Sequence, residues 1–554
     1  MAWILSITTI DVGQGESSLI VANDPAAGQR RTMLIDGGLA GYARTVHGYV
    51  AAQLALLGAN RLDHIVVSHY DEDHSSGITA LLLADNLDAI VRIVTAAAVA
   101  ARAASVLVGG TRQNQIAAGA AAAVACMRGG YDDGHGNNHA NVAVTAGQYA
   151  DAVNFPGGTT DAAAATRGVS EGNDAADNAM NLNGSIVHAA PRRNAAARAI
   201  GIAAATTPGN PAAKQAAAAN AAFMGLRAAV PTVSRFRTGG LYRNTQVIDI
   251  GNTHHTPAEY QHSVAGHVSF GGTVVTAPGV DRLRTGLAAG NLGDEILWNS
   301  GPNAIAAPAN SPAAFVVANN RSVWRAPANQ LPVNSGQADN DVSIGLIVRF
   351  NRFFFYTAGD LPSQGDQLVA NSVMNRQLPD PQNPPAGLFP LPAKIAAFKC
   401  GHHGSQYSTS NAFLQTALAE TAFVSCGVNQ FGQGENHPAP ALINRLHGDA
   451  TIDYFFLTNC NYVTANVPAS NGNNQLVAIG NKSRVCGDNG QANLAVGRPR
   501  GDARLTISEA ESTSNNAGLP LRQFHVTYFD DDNNGVGPFG VPIPVGMRTE
   551  HVPF

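Results

Sequence analysis

Charge is scarce in this chain. Asp, Glu, Lys and Arg make up 13% of its 554 residues and hydrophobic residues 45%, against a charged share of roughly 25% in ordinary soluble domains. A disordered polymer held open by its own charge is therefore excluded. Neither sign dominates: 34 Lys plus Arg against 39 Asp plus Glu leave a formal net charge of -5. No overall basic field exists to recruit nucleic acid or anionic lipid, so any polyanion must be held locally. Cysteine is sparse too. Cys126, Cys400, Cys426, Cys460 and Cys486 are widely spaced and form no CxxC pair, which indicates neither a disulfide framework nor a structural zinc site. A reducing cytoplasm is the expected compartment, with a bridge between Cys460 and Cys486 as the alternative. Met1 to Val12 lacks the basic start and apolar core of an export signal, and no apolar run is long enough to span a bilayer; the expectation is a soluble protein with no membrane partner. Also missing are a Gly-rich phosphate loop, a GxSxG elbow and a fixed-period repeat, which argues against P-loop and serine hydrolases and against a solenoid.

What is present reads as layers. Ile4 to Ile7, Ser18 to Val21 and Thr32 to Ile35 are strand-like, Val46 to Leu57 has helical spacing ending at Gly58, and His64 to Val67 follows as a buried strand. Strand, helix, strand is the rhythm of an α/β layered fold. From about 95 to 240 the text is dominated by alanine, as in Ala117 to Ala125 and Ala212 to Ala222. That composition reads either as helices of an inserted subdomain or as a loop-rich region. Strand-like text returns at Thr245 to Ile250, His267 to Thr276, Ala314 to Ala318, Ser343 to Phe350 and Phe353 to Thr357. Beyond about 450 come short β segments with Asn- and Gly-rich turns.

The chemistry concentrates where strands end. Ser68-His69-Tyr70-Asp71-Glu72-Asp73-His74 follows one strand and precedes a helical pattern, placing His69, Asp71, Asp73 and His74 on one short loop. Imidazole and carboxylate are ligands that divalent transition metals accept, and a strand-end loop lets several converge. Further clusters are Ala358-Gly359-Asp360, Lys399-Cys400-Gly401-His402-His403-Gly404-Ser405, and Asp36 in Leu34-Ile35-Asp36-Gly37-Gly38. Of two adjacent histidines one is expected to bind metal while the other orients it or meets substrate.

Together these clusters resemble the metallo-β-lactamase fold superfamily. Asp11-Val12-Gly13-Gln14-Gly15-Glu16-Ser17, Asp71 where most members have His, His402-His403-Gly404-Ser405, Asn340-Asp341-Val342-Ser343, Ser425-Cys426-Gly427 and His437-Pro438 narrow the resemblance to the ComEC-like, competence-associated branch, without its membrane channel. The resemblance implies an αββα sandwich with a large Ala-rich, mainly helical insertion and a β-rich C-terminal extension: residues 1–94 and 335–450 as the two halves of the core, 95–240 as the insertion, 241–334 as a further β-containing insertion or core strands, and 451–554 as the extension. It puts His69 and Asp71 at one metal, Asp73 and His74 at a second, Asp360 between them, and His402 completing the second, with His403 as runner-up. Asp36, Asn340, Asp11 and Ser405 would support these ligands. Most members supply a further His just ahead of the Ser343 strand, where this chain reads Asp339-Asn340-Asp341, so the first site is expected to be weakly or incompletely furnished. The oxygen-rich set makes manganese a competitor to zinc.

Two divalent ions held close together acidify a shared water and neutralise charge building on the attacked centre, which makes hydrolysis the natural reaction class. Asp73 is expected to orient the hydroxide, with Lys399 or His403 stabilising the oxyanion or protonating the leaving group. The leading expectation is a phosphodiesterase or nuclease acting on DNA, by resemblance, with the Ala-rich insertion shaping access. The alternatives are hydrolysis of a small ester, lactone or phosphoester, and a degenerate metal-binding interaction module. Weaker signals have plainer readings. His254, His255 and His262, and His135 and His139, read as solvated loops; Asp530, Asp532, Asn534 and Gly535 as a hairpin turn rather than a calcium loop; Arg235, Phe236, Arg237, Tyr242 and Arg243 as a half-exposed strand rather than a single-strand binder.

Overall fold

A computed structural model describes residues 3–108, 110–129, 136–180, 190–227, 238–242, 245–248, 292–299, 304–325, 329–337, 339–374, 394–427, 437–458, 482–486, 501–513, 522–530 and 546–554. The chain is mixed α/β and divides into two compact units, one of residues 1–81, 245–264 and 279–554, the other of residues 82–244 and 265–278.

The first unit contains two mixed sheets. Its first sheet is drawn from both ends of the sequence: β1 (Ile4–Thr9), β2 (Ser18–Asp24), β3 (Gln29–Ile35), β4 (His64–Val66) and β5 (Gln246–Ile248) are joined by C-terminal strands. The second sheet comprises β6 (Ala313–Asn319), β7 (Ser322–Arg325), β8 (Asn329–Pro332), β9 (Gly345–Phe350), β10 (Phe353–Thr357), β11 (Ala397–Lys399), β12 (Thr421–Val424), β13 (Tyr454–Leu457) and β14 (Ser483–Val485). β15 (Ala503–Ser508), β16 (Gln523–Asp530) and β17 (Gly546–Pro553) complete the first sheet, whose order is β17-β16-β15-β1-β2-β3-β4-β5. The second runs β14-β13-β12-β11-β10-β9-β6-β7-β8.

Alternation along the strands sets the packing, because successive side chains point to opposite faces. Leu5 and Ile7 of β1, Ile20 of β2, and Met33 and Ile35 of β3 join Val316, Leu346, Val348, Phe353 and Phe355 in one core between the sheets. The other face of the second sheet packs Ile347, Phe354, Tyr356 and Phe398 against Val369 of α8 (Ser363–Met374), Phe413 of α9 (Asn411–Ala417) and Leu442 and Leu446 of α10 (Pro440–Gly448). α1 (Ala43–Leu56) buries Val46, Val50 and Leu54 at the four-residue spacing read from the sequence, and its Tyr49 hydroxyl meets Thr8 Oγ1 of β1 at 2.9 Å.

The second unit is helical in its described residues: the body of α2 (Glu72–Leu107), then α3 (Arg112–Gly129), α4 (Gly136–Asp151), α5 (Asp161–Met180), α6 (Ala190–Thr206) and α7 (Pro211–Arg227). Of the two readings of the Ala-rich text, helix is the one found. Its core is mostly alanine, and glycines allow the closest approaches: a Cβ on Gly168 would stand 2.3 Å from the Ala117 carbonyl oxygen. Among the described residues no helix is long and apolar enough to cross a membrane.

One expectation is corrected. The C-terminal segment is β-rich, but it is no appendage: β15 pairs antiparallel with β1 from Ile4↔Ser508 to Thr9↔Ala503, and Phe524, Val526 and Tyr528 lie in the core between the sheets. Strand pairing across nearly the whole sequence leaves no local trace, which is why an extension was expected. Replacing Phe524, which stacks edge-on to Phe353 at 5.4 Å, with alanine should lower global stability by about 3–5 kcal/mol. Denaturant unfolding with the main transition unmoved would contradict this placement.

Candidate metal centre

Parallel neighbours present their carboxyl ends at the same sheet edge, where α/β folds gather ligands. β3 and β4 are parallel, as are β10, β11 and β12. Asp36 follows β3, the His69–His74 segment follows β4, Asp360 follows β10, and His402 and His403 follow β11.

Backbone hydrogen bonds interlock the turns of the first sheet. Glu16 N–H donates to the Asp73 carbonyl at 3.1 Å, Gly38 N–H to Glu16 at 2.8 Å, Gly37 N–H to His74 at 2.9 Å and Gly77 N–H to Gly38 at 2.8 Å. Two glycines make the crossing possible, since a Cβ on Gly77 would lie 1.9 Å from the Gly37 carbonyl oxygen. Asp36, itself at a positive φ of 56°, ties the turns together: its Oδ1 accepts from Ser68 N–H at 2.7 Å, and its Oδ2 meets Ser68 Oγ at 2.6 Å and His74 Nδ1 at 2.8 Å. Asp73 and His74 sit in the first turn of α2 rather than on a loop. The Asp71 carbonyl accepts from His74 N–H and Ser75 N–H at 3.0 Å each, so the ligand-rich stretch starts the helix, and acidic side chains suit that end of its dipole.

From the second sheet, His402 and His403 both adopt left-handed φ, 49° and 50°, uncommon for residues with a Cβ and a local strain on the backbone. The turn is fixed by His402 N–H to the Gly359 carbonyl at 3.1 Å and Ser405 N–H to His402 at 2.7 Å. The two rings consequently diverge, 6.2 Å apart and inclined at 72°.

These elements bring the side chains to Asp360. Its Oδ1 lies 3.1 Å from His74 Nε2 and 3.7 Å from His403 Nε2; its Oδ2 lies 3.6 Å from His402 Nε2 and 3.8 Å from His69 Nε2. On the first side His403 Nε2 is also 2.9 Å from Asp73 Oδ2 and 3.2 Å from His74 Nε2; on the second, His69 Nε2 is 3.4 Å from Asp71 Oδ2. Two donors each about 2.1 Å from one cation stand about 3.4 Å apart at the tetrahedral angle, within the spread observed. His69 Nε2, Asp73 Oδ2 and Asp360 Oδ1 are buried and make no well-aligned hydrogen bond. Atoms this close that do not point at one another converge on space between them. Buried groups of this kind, His69–His74–Asp360 and Asp73–His74–His403, could hold a metal ion. Asp71 and His402, with side chains 42% and 21% exposed, form the open rim.

Electrostatics points the same way. Burial raises the Asp73 pKa, but His403 and His74 bring it down to about 2, and Asp360, opposed by burial but faced by His74, His402 and His403, is held well below the usual carboxylate range. Burial alone would strip His74 of its proton; the carboxylates of Asp360, Asp36 and Asp73 reverse this and raise its pKa well above normal, and Asp360 and Asp73 do the same for His403. At His402 burial prevails, and its pKa is lowered. The cluster attracts positive charge to its middle.

The residues named from the sequence divide accordingly. His69, Asp71, Asp73, His74 and Asp360 come together. His403, not His402, joins Asp73 and His74; His402 lies on the His69 and Asp71 side, where Asn340 Nδ2 is 3.4 Å from its Nδ1. Asp341 is turned away, receiving Ser335 N–H at 3.0 Å. Ser405 shapes the histidine turn, its Oγ accepting from Tyr407 N–H at 3.2 Å. Lys399 is fully buried and paired with buried Glu16, so it is not a group reaching toward substrate. His403 is likewise buried, with Nδ1 3.2 Å from the Ser425 carbonyl oxygen. Asp11 has other partners than the residues around Asp360: its N–H donates to Asp502 Oδ1 at 2.8 Å and its own Oδ1 accepts from Gly13 N–H at 2.9 Å. Ser68 and Glu16 were missed as support, and so was His437, whose ring is 5.1 Å from that of His402. The position of Glu16 directly after Gly15 and that of Ser68 directly before His69 were the available signals. His135, His254, His255, His262, Arg235, Phe236, Arg237, Arg243, Cys460, Asp532, Asn534, Gly535 and the 267–276 strand lie outside the described residues, as does the His139 side chain. No protein-family model matches the sequence, and no curated protein is recognisably similar to it.

Two predictions follow from the supporting groups. Lys399→Met should cost about 3–5 kcal/mol by leaving Glu16 buried and uncompensated, and adding Glu16→Leu should recover much of it; a single variant as stable as the parent in urea would refute the structural role. Burial raises Asp11 to about 7 and, helped by the Asp11 charge, Asp502 to about 8. Carboxyls that hold their protons longer folded than unfolded make stability fall as pH rises from about 4 to about 8. Asp502→Asn, which keeps the acceptor oxygen, should therefore gain stability over the parent at pH 8 but not at pH 4; equal melting temperatures at both pH values would count against it.

Proposed function

We propose that this chain is a metal-dependent hydrolase with the αββα sandwich of the metallo-β-lactamase superfamily, ComEC-like in its motifs, and that it cleaves phosphodiesters, with DNA as substrate. The observation that carries the reading is the position of Asp360, one carboxylate oxygen facing His74 and His403 and the other facing His69 and His402. In this reading Asp73, His74 and His403 hold one divalent ion, His69, Asp71 and His402 the other, and Asp360 serves both. His402 thus provides the imidazole that the Asp339-Asn340-Asp341 stretch does not. Three carboxylates and four imidazoles suit zinc or manganese.

Such a pair of ions supplies Lewis acidity toward phosphoryl oxygens and acidifies water at neutral pH. The chain's own residues do the rest. Asp36 and Ser68 fix the His74 ring, Ser425 fixes His403, and Asn340 braces His402. Buried His69, His74 and His403 close the floor, while Asp71 and His402 leave the rim open to substrate. Asp73, kept ionised, can accept a hydrogen bond from the attacking water and orient it. The substrate follows from the motif resemblance; with a net charge of -5 there is no overall basic field, so the polyanion would be held locally.

Protein stripped of metal and reloaded with manganese or zinc should cleave single-stranded DNA in a salt-sensitive manner, and Asp360→Ala should reduce the rate by more than about 100-fold, since even partners outside the ligand set cost 10–100-fold. Undiminished cleavage by Asp360→Ala would defeat the proposal. Turnover of small chromogenic esters without DNA cleavage would move the substrate to that class, and bound metal without any hydrolysis would leave a binding module.

A further inference from the structure

A second histidine pair lies on the C-terminal strands, built from none of the residues above. His525 of β16 and His551 of β17 are directly opposed in the antiparallel register, their rings 4.6 Å apart and nearly perpendicular at 89°. Their Nδ1 atoms are 2.9 Å apart. On the far side of the His525 ring, Nε2 meets Glu511 Oε1 at 2.5 Å. Glu511 belongs to α11 (Glu509–Thr513), and its other oxygen accepts from Ser508 N–H at 2.9 Å and Ser508 Oγ at 2.6 Å. Ser508 and Glu511 form a capping box at the helix start, so the carboxylate is locked before any ligand arrives.

The tautomer follows from this arrangement. Burial opposes ionisation of Glu511, but the hydrogen bonds from Ser508 and His525 hold its pKa below normal. A carboxylate at Nε2 favours the tautomer with its proton there, and Nδ1 is the nitrogen of His525 that faces His551. A carboxylate or carbonyl behind a histidine is the usual means by which proteins orient a metal-binding ring. Two nitrogens each about 2.0 Å from one ion stand about 2.8 Å apart at a right angle and about 3.3 Å apart at the tetrahedral angle. The observed 2.9 Å lies within the range in which both rings can reach one divalent ion, and copper(II) heads the affinity order for imidazole ligands.

We propose that His525 and His551 form a separate copper(II)-binding site, with Glu511 positioning His525. The site is shallow: His551 is exposed, and the protein provides two ligands, leaving the other equatorial places to water or a small exogenous ligand. It is separate from the Asp360 centre, so a failure of the hydrolase reading leaves it standing.

The test is titration of the full-length protein with copper(II), followed by calorimetry and electron paramagnetic resonance, in the parent, His551→Ala and Glu511→Gln. The parent should bind one more equivalent than His551→Ala, with nitrogen splitting from two imidazoles that the variant loses. Glu511→Gln should keep that equivalent and weaken it about 10–100-fold. Because His551 is exposed, its removal should leave the circular dichroism spectrum unchanged, so a lost equivalent reports the site itself. Identical stoichiometry and spectra in the parent and His551→Ala would overturn the proposal and leave the two rings sharing a hydrogen bond only. Equal affinity in Glu511→Gln would remove the positioning role.

Discussion

Burying carboxylates is costly unless each has a partner, and at the edge where the two sheets meet this chain buries Glu16, Asp36, Asp73 and Asp360 within reach of one another. Two of them are settled within the protein: Glu16 by Lys399, and Asp36 by Ser68 and the His74 ring. Asp73 and Asp360 are not. They meet histidines at ion-pair distance, Asp73 Oδ2 and Asp360 Oδ1 have no aligned hydrogen bond, and the two carboxylates hold protons on His74 and His403 that burial would otherwise remove. Buried histidines and carboxylates gathered in this way could hold a metal ion.

The fold accounts for the convergence. Parallel neighbours at β3–β4 and β10–β11–β12 point their carboxyl ends to one edge, the shared core aligns the two sheets, and glycines at 37 and 77 let the start of α2 cross the Asp36 turn. Asp36, His402 and His403 all adopt positive φ at this edge. Asp36 and Ser425 fix the orientation of the His74 and His403 rings through the nitrogen that does not face Asp360.

Much of this was legible in the sequence because it is local. The His69–His74 cluster, Asp360 and the double histidine each sit beside a short apolar strand, and strand-end chemistry needs only a few adjacent residues to be seen. The supporting role of Asp36 was readable for the same reason. What the sequence could not reveal depended on backbone conformation or distant pairing. The choice between His402 and His403 turns on two left-handed φ values, and the Lys399–Glu16 pair joins positions 383 residues apart. The C-terminal strands lie beside β1 rather than extending from the molecule, because antiparallel partners at Ile4 and Ser508 carry no local mark of each other. Composition left the Ala-rich stretch open between helix and loop; close packing through alanine and glycine accounts for the helices found there.

The central claim is that Asp360 stands between two cations. Anomalous X-ray diffraction from crystals grown with manganese, recorded across the metal edge, tests it most directly. The account predicts two peaks, one on each side of the Asp360 carboxylate, the first beside Asp73, His74 and His403 and the second beside His69, Asp71 and His402. A metal-loaded crystal with no peak at Asp360, or with its ions bound only by other residues, would contradict it.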